Sequence, residues 1–267
     1  MTAPNFTKPN QWQVRNAPLQ PRSAIAKLSE NPESPPMRVA IVENTAITHH
    51  GQVGVALHEC AARIEVFRPW RDSILPALLD HDALIVFGGE QNALSDQTHP
   101  YLPALARLMQ ETAAADRAVL GICLGSQILA RGLGAQNQIG GADEFGWCQV
   151  QTLDTAASDP VLKHLPANFP IFEWHSDTFT LPPGSIHLAK SPEAQVQAFR
   201  AHRAAYGMQF HFEANRAVVA DWHALFGPNL DRTAPGWLQN YQSHAQTLGP
   251  AADSHGLAIA RAWVALI

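Results

Sequence analysis

The stretch Ala118-Val119-Leu120-Gly121-Ile122-Cys123-Leu124-Gly125-Ser126-Gln127 decides how this chain is read. Its first half is an apolar run rich in β-formers, the pattern of a strand buried on both faces of a parallel sheet. It ends in Gly-x-Cys-x-Gly, and Ser126-Gln127-Ile128-Leu129-Ala130-Arg131 reads as the opening turns of a helix. Strand, nucleophile and helix in immediate succession, flanked by glycines, form an elbow that presents a side chain at the end of a sheet, here a thiol. The backbone turns so tightly there that a neighbouring Cβ would clash, which accounts for Gly121 and Gly125. Cys123 then stands at a helix N-terminus, where the dipole favours thiolate over thiol. A single cysteine in an apolar run is more commonly an inert packing residue, so the reactive reading depends on the rest of the chain.

With 267 residues, 46% of them hydrophobic, the chain is long enough for one large α/β domain with a substantial core. The net charge of −5 is mild and no Lys/Arg cluster stands out, which argues against a nucleic-acid partner. No apolar run approaches the ~18 residues of a membrane span. Three cysteines, Cys60, Cys123 and Cys148, make a disulfide framework an unnatural reading and a reducing cytoplasm the natural one. Residues 1–36 differ from the remainder: they hold seven prolines and no acid before Glu30. They lack the apolar segment of a secretory signal and are too proline-rich for an amphipathic targeting helix. They read as an extended arm that precedes a single domain over 37–267.

Within that domain, Met37–Val42 reads as a strand, Gly54–Arg63 as a helix and Ile64–Phe67 as a second strand. Asp72–Asp80 reads as a helix, Ala83–Phe87 as a third strand and Pro103–Ala115 as a helix, before the opening stretch and its own helix. Such alternation argues a doubly wound sheet with right-handed crossovers, in which ligands bind beyond the carboxyl ends of the strands. Gly88-Gly89 and Cys123 both lie at such ends. From about Gly140 the pattern shifts to β-rich pieces at Gly146–Leu153, Pro170–Trp174, Gln195–Arg200 and Ala205–Phe212, with a turn at Pro182-Pro183-Gly184. Ala214–Phe226 and Leu257–Ile267 read as helices, and Cys60 and Cys148 as packing residues.

Two further pieces converge on the elbow. In Gly207-Met208-Gln209-Phe210-His211-Phe212-Glu213, strand alternation would put His211 and Glu213 on one face and Phe210 and Phe212 on the other. A carboxylate beside an imidazole fixes its tautomer and supports its protonated form, the orienting arrangement behind a general base. Gly88-Gly89 follows a strand and can turn backbone N–H groups toward a developing oxyanion, with Leu124 N–H as second donor.

Gly-Ile-Cys-Leu-Gly-Ser-Gln at 121–127 and Gln-Phe-His-Phe-Glu at 209–213 together resemble the class I, triad-type glutamine amidotransferases. Glu144-Phe145-Gly146-Trp147, Trp174-His175-Ser176-Asp177-Thr178-Phe179, Leu181-Pro182-Pro183-Gly184 and Gln197-Ala198-Phe199 resemble its stand-alone, GMP-synthase-like branch. The resemblance runs from about residue 37 to 240. It implies a Rossmann-like or flavodoxin-like α/β fold, with a mostly parallel sheet flanked by helices and a small antiparallel β addition. It also implies Cys123 as nucleophile, His211 as base and acid, Glu213 as orienting carboxylate, and Gly89 and Leu124 as oxyanion donors. Gly88, Gln127, Trp174, His175 and Ser176 would line the substrate, Trp174 and His175 as a wall and a structural hydrogen bond, while Asp177 caps a local turn. Two positions depart from the branch's pattern: Glu90-Gln91 stands for the usual Pro-Met after Gly89, and Ser176 for the usual Gly of Trp-His-Gly-Asp.

The implied reaction is attack of Cys123 on the side-chain amide of glutamine, loss of ammonia assisted by His211, and hydrolysis of a γ-glutamyl thioester. It needs neither metal nor cofactor. Ammonia is useful only beside an acceptor, which implies a separate synthase subunit; the alternative is a γ-glutamyl peptidase acting on other γ-glutamyl amides. A non-catalytic binding module has no physical need for all of Cys123, His211 and Glu213. A cysteine hydrolase of the related chaperone/protease branch ordinarily has histidine directly after the nucleophile, where this chain has Leu124.

Overall fold

A computed structural model describes residues 36–267 and the strand Gln13–Val14. The elements in chain order begin β1 (Gln13–Val14), β2 (Arg38–Val42), α1 (Gly51–Glu59), β3 (Arg63–Phe67), α2 (Pro69–Asp72), β4 (Ile74–Leu75) and β5 (Ala83–Val86). Next are α3 (Leu102–Ala114), β6 (Ala118–Ile122), α4 (Leu124–Gly132), β7 (Asn137–Gln138), β8 (Glu144–Thr152), β9 (Asn168–His175) and β10 (Thr178–Phe179). The last are β11 (Ile186–Lys190), β12 (Ala198–Ala201), β13 (Ala205–Met208), α5 (Arg216–Thr233), α6 (Trp237–Thr247) and α7 (Gly249–Val264). The expected arm over 1–36 lies, apart from Pro36 and β1, outside the described residues.

One mixed sheet of order β3-β2-β5-β6-β13-β12-β11-β8-β9 organises the domain. Its first five strands are parallel, and the doubly wound reading holds. From β13 onward the pairing is antiparallel, so the expected addition continues the same sheet instead of forming a separate one. Beside it, β7 and β10 form a two-stranded antiparallel pair. Strand alternation sorts the parallel half onto two faces. Val39, Ile41, Ile85 and Leu120 pack with Val53 and Leu57 of α1 and with Ile259 and Trp263 of α7. Ala40, Val42, Leu84 and Val119 pack on the opposite side with Leu105 and Met109 of α3 and Ile128 of α4. Burial on both faces is why these strands are continuously apolar.

Several local expectations are corrected. The helix expected over 54–63 ends at Glu59, because Ala61 turns to φ +50° and Arg63 opens β3 with its N–H on Met37 O at 2.8 Å. The helix expected over 72–80 does not form: Ser73 is left-handed, and Pro76 pushes Leu75 to an extended conformation that pairs with β1. Besides the short elements β1, α2, β4, β7 and β10, neither β11 nor α6 was anticipated, and α7 begins at Gly249 instead of Leu257. The helix expected from Ala214 starts at Arg216, capped by the Asn215 side chain accepting from the N–H groups of Ala217 and Val218 at 3.1 Å, and runs on to Thr233. Cys60 is exposed at the end of α1 and does not pack, whereas Cys148 on β8 does. No helix among the described residues is long and apolar enough to cross a membrane.

The elbow is the tightest place in the fold. Cys123 adopts φ +51°, a strained value for a residue with a side chain. A Cβ on Gly125 would stand 1.9 Å from Val86 O, and one on Gly121 would stand 2.3 Å from Gly125 O. Backbone cannot move aside as a flexible side chain does, so Gly125→Ala is expected to destabilise the fold by ~3 kcal/mol or more, or to prevent soluble expression. Chemical denaturation measures this, and an unchanged midpoint would show that β5 and α4 do not meet as described.

Candidate active site

Segments far apart in the chain meet at the carboxyl edge of the parallel strands and line one cavity of about 700 Å³. The elbow supplies Cys123, whose side chain is nearly buried. Its N–H donates to Met208 O at 2.9 Å, which ties the elbow to the end of β13. There the chain leaves the sheet, so His211 and Glu213 stand on a turn beyond Met208 and not on the strand expected to extend to Phe212. The neighbouring strand β6 itself ends at Ile122, which leaves β13 no parallel partner to continue along. The expected sorting of side chains nevertheless arises: Phe210 and Phe212 are buried in the core, and His211 and Glu213 face the cavity.

His211 is held firmly. Its N–H donates to Phe172 O at 2.8 Å, its Nδ1 meets Glu213 Oε1 at 2.7 Å, and its ring stands edge-on to Trp222 with centroids 5.4 Å apart. Burial opposes a charge on the ring, yet the Glu213 carboxylate and the Cys123 sulfur together hold His211 well above its ordinary range. A cysteine, an imidazole interacting with it and a carboxylate orienting that imidazole are the parts of a nucleophile–base–orienter system.

Gly88 and Gly89 form the floor. A Cβ on Gly88 would lie 3.2 Å from His211 Cε1 and 3.5 Å from Cys123 Cβ, so a side chain there would press on the His211 ring and touch the nucleophile. Behind it, Asn44 Nδ2 donates to Phe87 O at 2.8 Å, Tyr101 OH donates to Asn44 Oδ1 at 3.0 Å, and Gln91 Nε2 donates to Tyr101 OH at 2.7 Å. The Glu90-Gln91 departure therefore has a local rationale, since Gln91 anchors the loop. Leu124 opens α4, where the first N–H groups have no acceptor within the helix.

The opposite wall is the turn 174–177. Cys123 Sγ lies 3.7 Å from Trp174 O, and Gln127 Nε2 donates to Asp177 O at 3.3 Å and to Gln209 Oε1 at 3.1 Å. Gln127 thus joins the elbow helix to two neighbouring segments while lining the cavity. Asp177 Oδ1 accepts from Gly140 N–H at 2.8 Å, so in place of the expected capping of its local turn it ties that turn to a segment 37 residues away. Ser176 is exposed and is not among the residues with positive φ, so serine meets no backbone strain there. Trp174 packs edge-on to Trp222 and Phe226, and α5 thereby contributes an aromatic wall that the sequence had not indicated.

Sequence reading also missed a buried polar centre behind this wall. His175 Nε2 lies 3.3 Å from both Glu144 Oε2 and Glu173 Oε2, and Glu173 is fully buried. The signal available was a lone acid in the apolar run Phe169–Trp174. These three are also the described residues whose ligand atoms, all within 4.8 Å of one another, could hold a metal ion. Burial would depress His175, but the two carboxylates outweigh it and hold the ring up at about 10. Burial pushes Glu173 up to about 7, against the pull of His175. Burial likewise pushes the Cys148 thiol up to about 12, which makes it inert beside Cys123.

The chain matches the family model for glutamine amidotransferase class-I over residues 49–218, more than half of its length. It is 29% identical over 145 residues to the glutamine amidotransferase-like protein YfeJ of Salmonella typhimurium, a stretch covering 53% of this chain and 61% of that one. It is 35% identical over 115 residues to the glutamine-hydrolyzing GMP synthase of Aeropyrum pernix, covering 41% of this chain and 22% of the synthase. The match thus spans less than two thirds of either relative. Among solved structures, a glutamine amidotransferase from Thermotoga maritima superposes with a TM-score of 0.72 at 24% identity, over 85% of this chain and 96% of that one. One from Methylobacillus flagellatus gives 0.73 at 24% identity, over 87% and 95%. These two likenesses establish the fold.

His175 and His211 both hold their protons above the ordinary imidazole value of 6.5. Their contribution to stability is therefore fully present below about pH 6.5 and is lost as pH rises through the raised values, while Glu173, raised from 4.5 to about 7, adds a decline of the same sign lower down, between those two values. The melting temperature is expected to decline between about pH 6.5 and 10. A flat or rising profile across that window contradicts the assignment of charge.

Proposed function

The chain belongs to the class-I glutamine amidotransferase family, and from that premise we propose that it hydrolyses the side-chain amide of glutamine through a Cys123 thioester. The observation that carries this reading is that His211 Nδ1 lies 2.7 Å from Glu213 Oε1 while His211 Cε1 and Cys123 Sγ flank Gly88, 3.2 and 3.9 Å from where a Cβ there would stand. The Cys123 thiolate attacks the amide carbon, and the oxyanion forms against the N–H groups of Gly89 and Leu124. His211, as imidazolium, gives its proton to the departing nitrogen, and ammonia leaves a γ-glutamyl thioester. The now neutral His211 takes a proton from water, hydroxide adds to the thioester, and glutamate departs with the sulfur restored. Gly88 underlies the reacting groups, while Gln127, Trp174, His175 and Ser176 bound the space where the glutamyl group lies.

Released ammonia is then consumed by an acceptor enzyme. Kinship with GMP synthases, of which the matched stretch covers about a quarter or less, supports a separate synthase-type protein as that acceptor. A second reading, hydrolysis of γ-glutamyl peptides, is favoured by the size of the cavity. About 700 Å³ falls within the ~300–1,000 Å³ of sites that hold drug-sized ligands, and free glutamine would leave much of it empty. Trp174, Trp222 and Phe226 would receive the remainder of such a substrate.

Glutamate release from glutamine and from a panel of γ-glutamyl peptides, glutathione included, separates the two readings. Cys123→Ala is expected to abolish release from whichever substrate is used. Glu213→Gln is expected to lower kcat by a factor on the order of 10²–10⁴ without a change in melting temperature large enough to indicate unfolding. Release from no substrate, with or without lysate to supply a partner, contradicts both readings, and an unaltered Glu213→Gln rate removes that carboxylate from the mechanism.

A further inference from the structure

We propose that His175 is a fixed imidazolium, clamped between Glu144 and Glu173, which acts as a positioning residue for Cys123 by holding the 174–177 turn and a positive charge beside the sulfur. The assignment follows from what faces its two nitrogens. Nδ1 lies 3.0 Å from Asp177 O, and a carbonyl oxygen only accepts, so Nδ1 carries a proton. Nε2 lies 3.3 Å from carboxylate oxygens of both Glu144 and Glu173, and these call for a second proton on the same ring. The side chain is 1% exposed, so no water competes for either position.

A metal ion among the same three residues is the rival occupant of that gap, and the surroundings of Glu144 favour the proton. Its Oε2 already accepts from Ser191 Oγ at 2.8 Å and from Gln197 Nε2 at 2.6 Å. A cation bound to that oxygen would face two donor hydrogens, whereas an N–H at 3.3 Å joins them as a third, looser donor. The length also means that the ring is held by charge more than by aligned hydrogen bonds, for which ~2.7–2.9 Å is usual.

The consequence reaches Cys123 by two routes. Asp177 O, which receives the His175 proton, also receives the Gln127 amide from the elbow helix, and Trp174 O lies against Cys123 Sγ. The charge is the second route, since a negative sulfur at Cys123 supports the protonated His175 ring. The charged groups around His175 are Glu144 from β8, Glu173 from β9, Cys123 from the elbow, and His211, which faces Glu173. His211 moves protons in the reaction, and His175 keeps its own.

The inference rests on the proposed role of Cys123, but its test does not require turnover. In the intact protein with ¹⁵N-labelled histidine, the His175 ring is expected to show two protonated nitrogens from pH 6 to 9, and Glu173→Gln is expected to let it titrate within that range. A single N–H at pH 8 in the unaltered protein overturns the proposal, as does stoichiometric zinc or another divalent metal in protein purified without added metal. His175→Asn retains a side-chain donor for Asp177 O but no charge. It is expected to slow alkylation of Cys123 by iodoacetamide at pH 7 about tenfold while the protein remains folded. An unchanged alkylation rate in folded His175→Asn overturns the positioning role and leaves the ring structural. Failure of the glutaminase reading, by contrast, would appear as absent glutamate release with these ring signals intact.

Discussion

The close approach of α4 to β5 is the constraint on which the rest of the structure depends. Gly125 lies so near Val86 O that no side chain fits between them, and the chain reaches that position only by turning through a strained Cys123. The strain costs ~1–3 kcal/mol at a single residue, and the surrounding core of large buried side chains offsets it. What the turn achieves is direction. A cysteine on the strand would face one of the two cores, whereas a cysteine at the turn projects beyond the sheet edge into the cavity.

The sheet then determines what can meet that cysteine. β13 lies beside β6 although more than 80 residues separate them, because the chain returns through an antiparallel extension and re-enters the parallel half from its far side. That return places the turn carrying His211 and Glu213 against the elbow, and places β9 close enough for Phe172 O to hold the His211 backbone. The same extension brings Glu144 and Glu173 together across neighbouring strands β8 and β9. The buried polar centre at His175 is therefore a product of the same topology that assembles the Cys123–His211 pair, and each of the two histidines has its own carboxylate support.

Local rules that failed did so for identifiable reasons. Period-two alternation placed His211 and Glu213 on one side correctly but by the wrong route, since the strand stops at Met208 where its parallel neighbour ends. A helix pattern over 72–80 gave way to Pro76 and to pairing with a distant strand, β1, which no local signal reports. Glu173 is a single acid in an apolar run and carries no periodic signature. Its importance lies in burial and in the imidazole opposite, both of which are properties of packing.

The parallel half of the sheet, the elbow and its glycines, and the residue types of the proposed Cys123–His211–Glu213 system follow from the amino-acid sequence alone. Each is written in short-range chemistry: a continuous apolar run, glycines at fixed offsets, an imidazole two residues from a carboxylate. The tertiary structure alone decided that the antiparallel strands continue the same sheet, that Gln91 and Tyr101 brace the Gly88-Gly89 floor, and that α5 supplies the aromatic wall. It alone decided, too, that His175 lies between two buried carboxylates. These features depend on contacts between residues far apart in the chain, and the energy of such a contact is set by the geometry and desolvation of both partners, which neither segment encodes by itself.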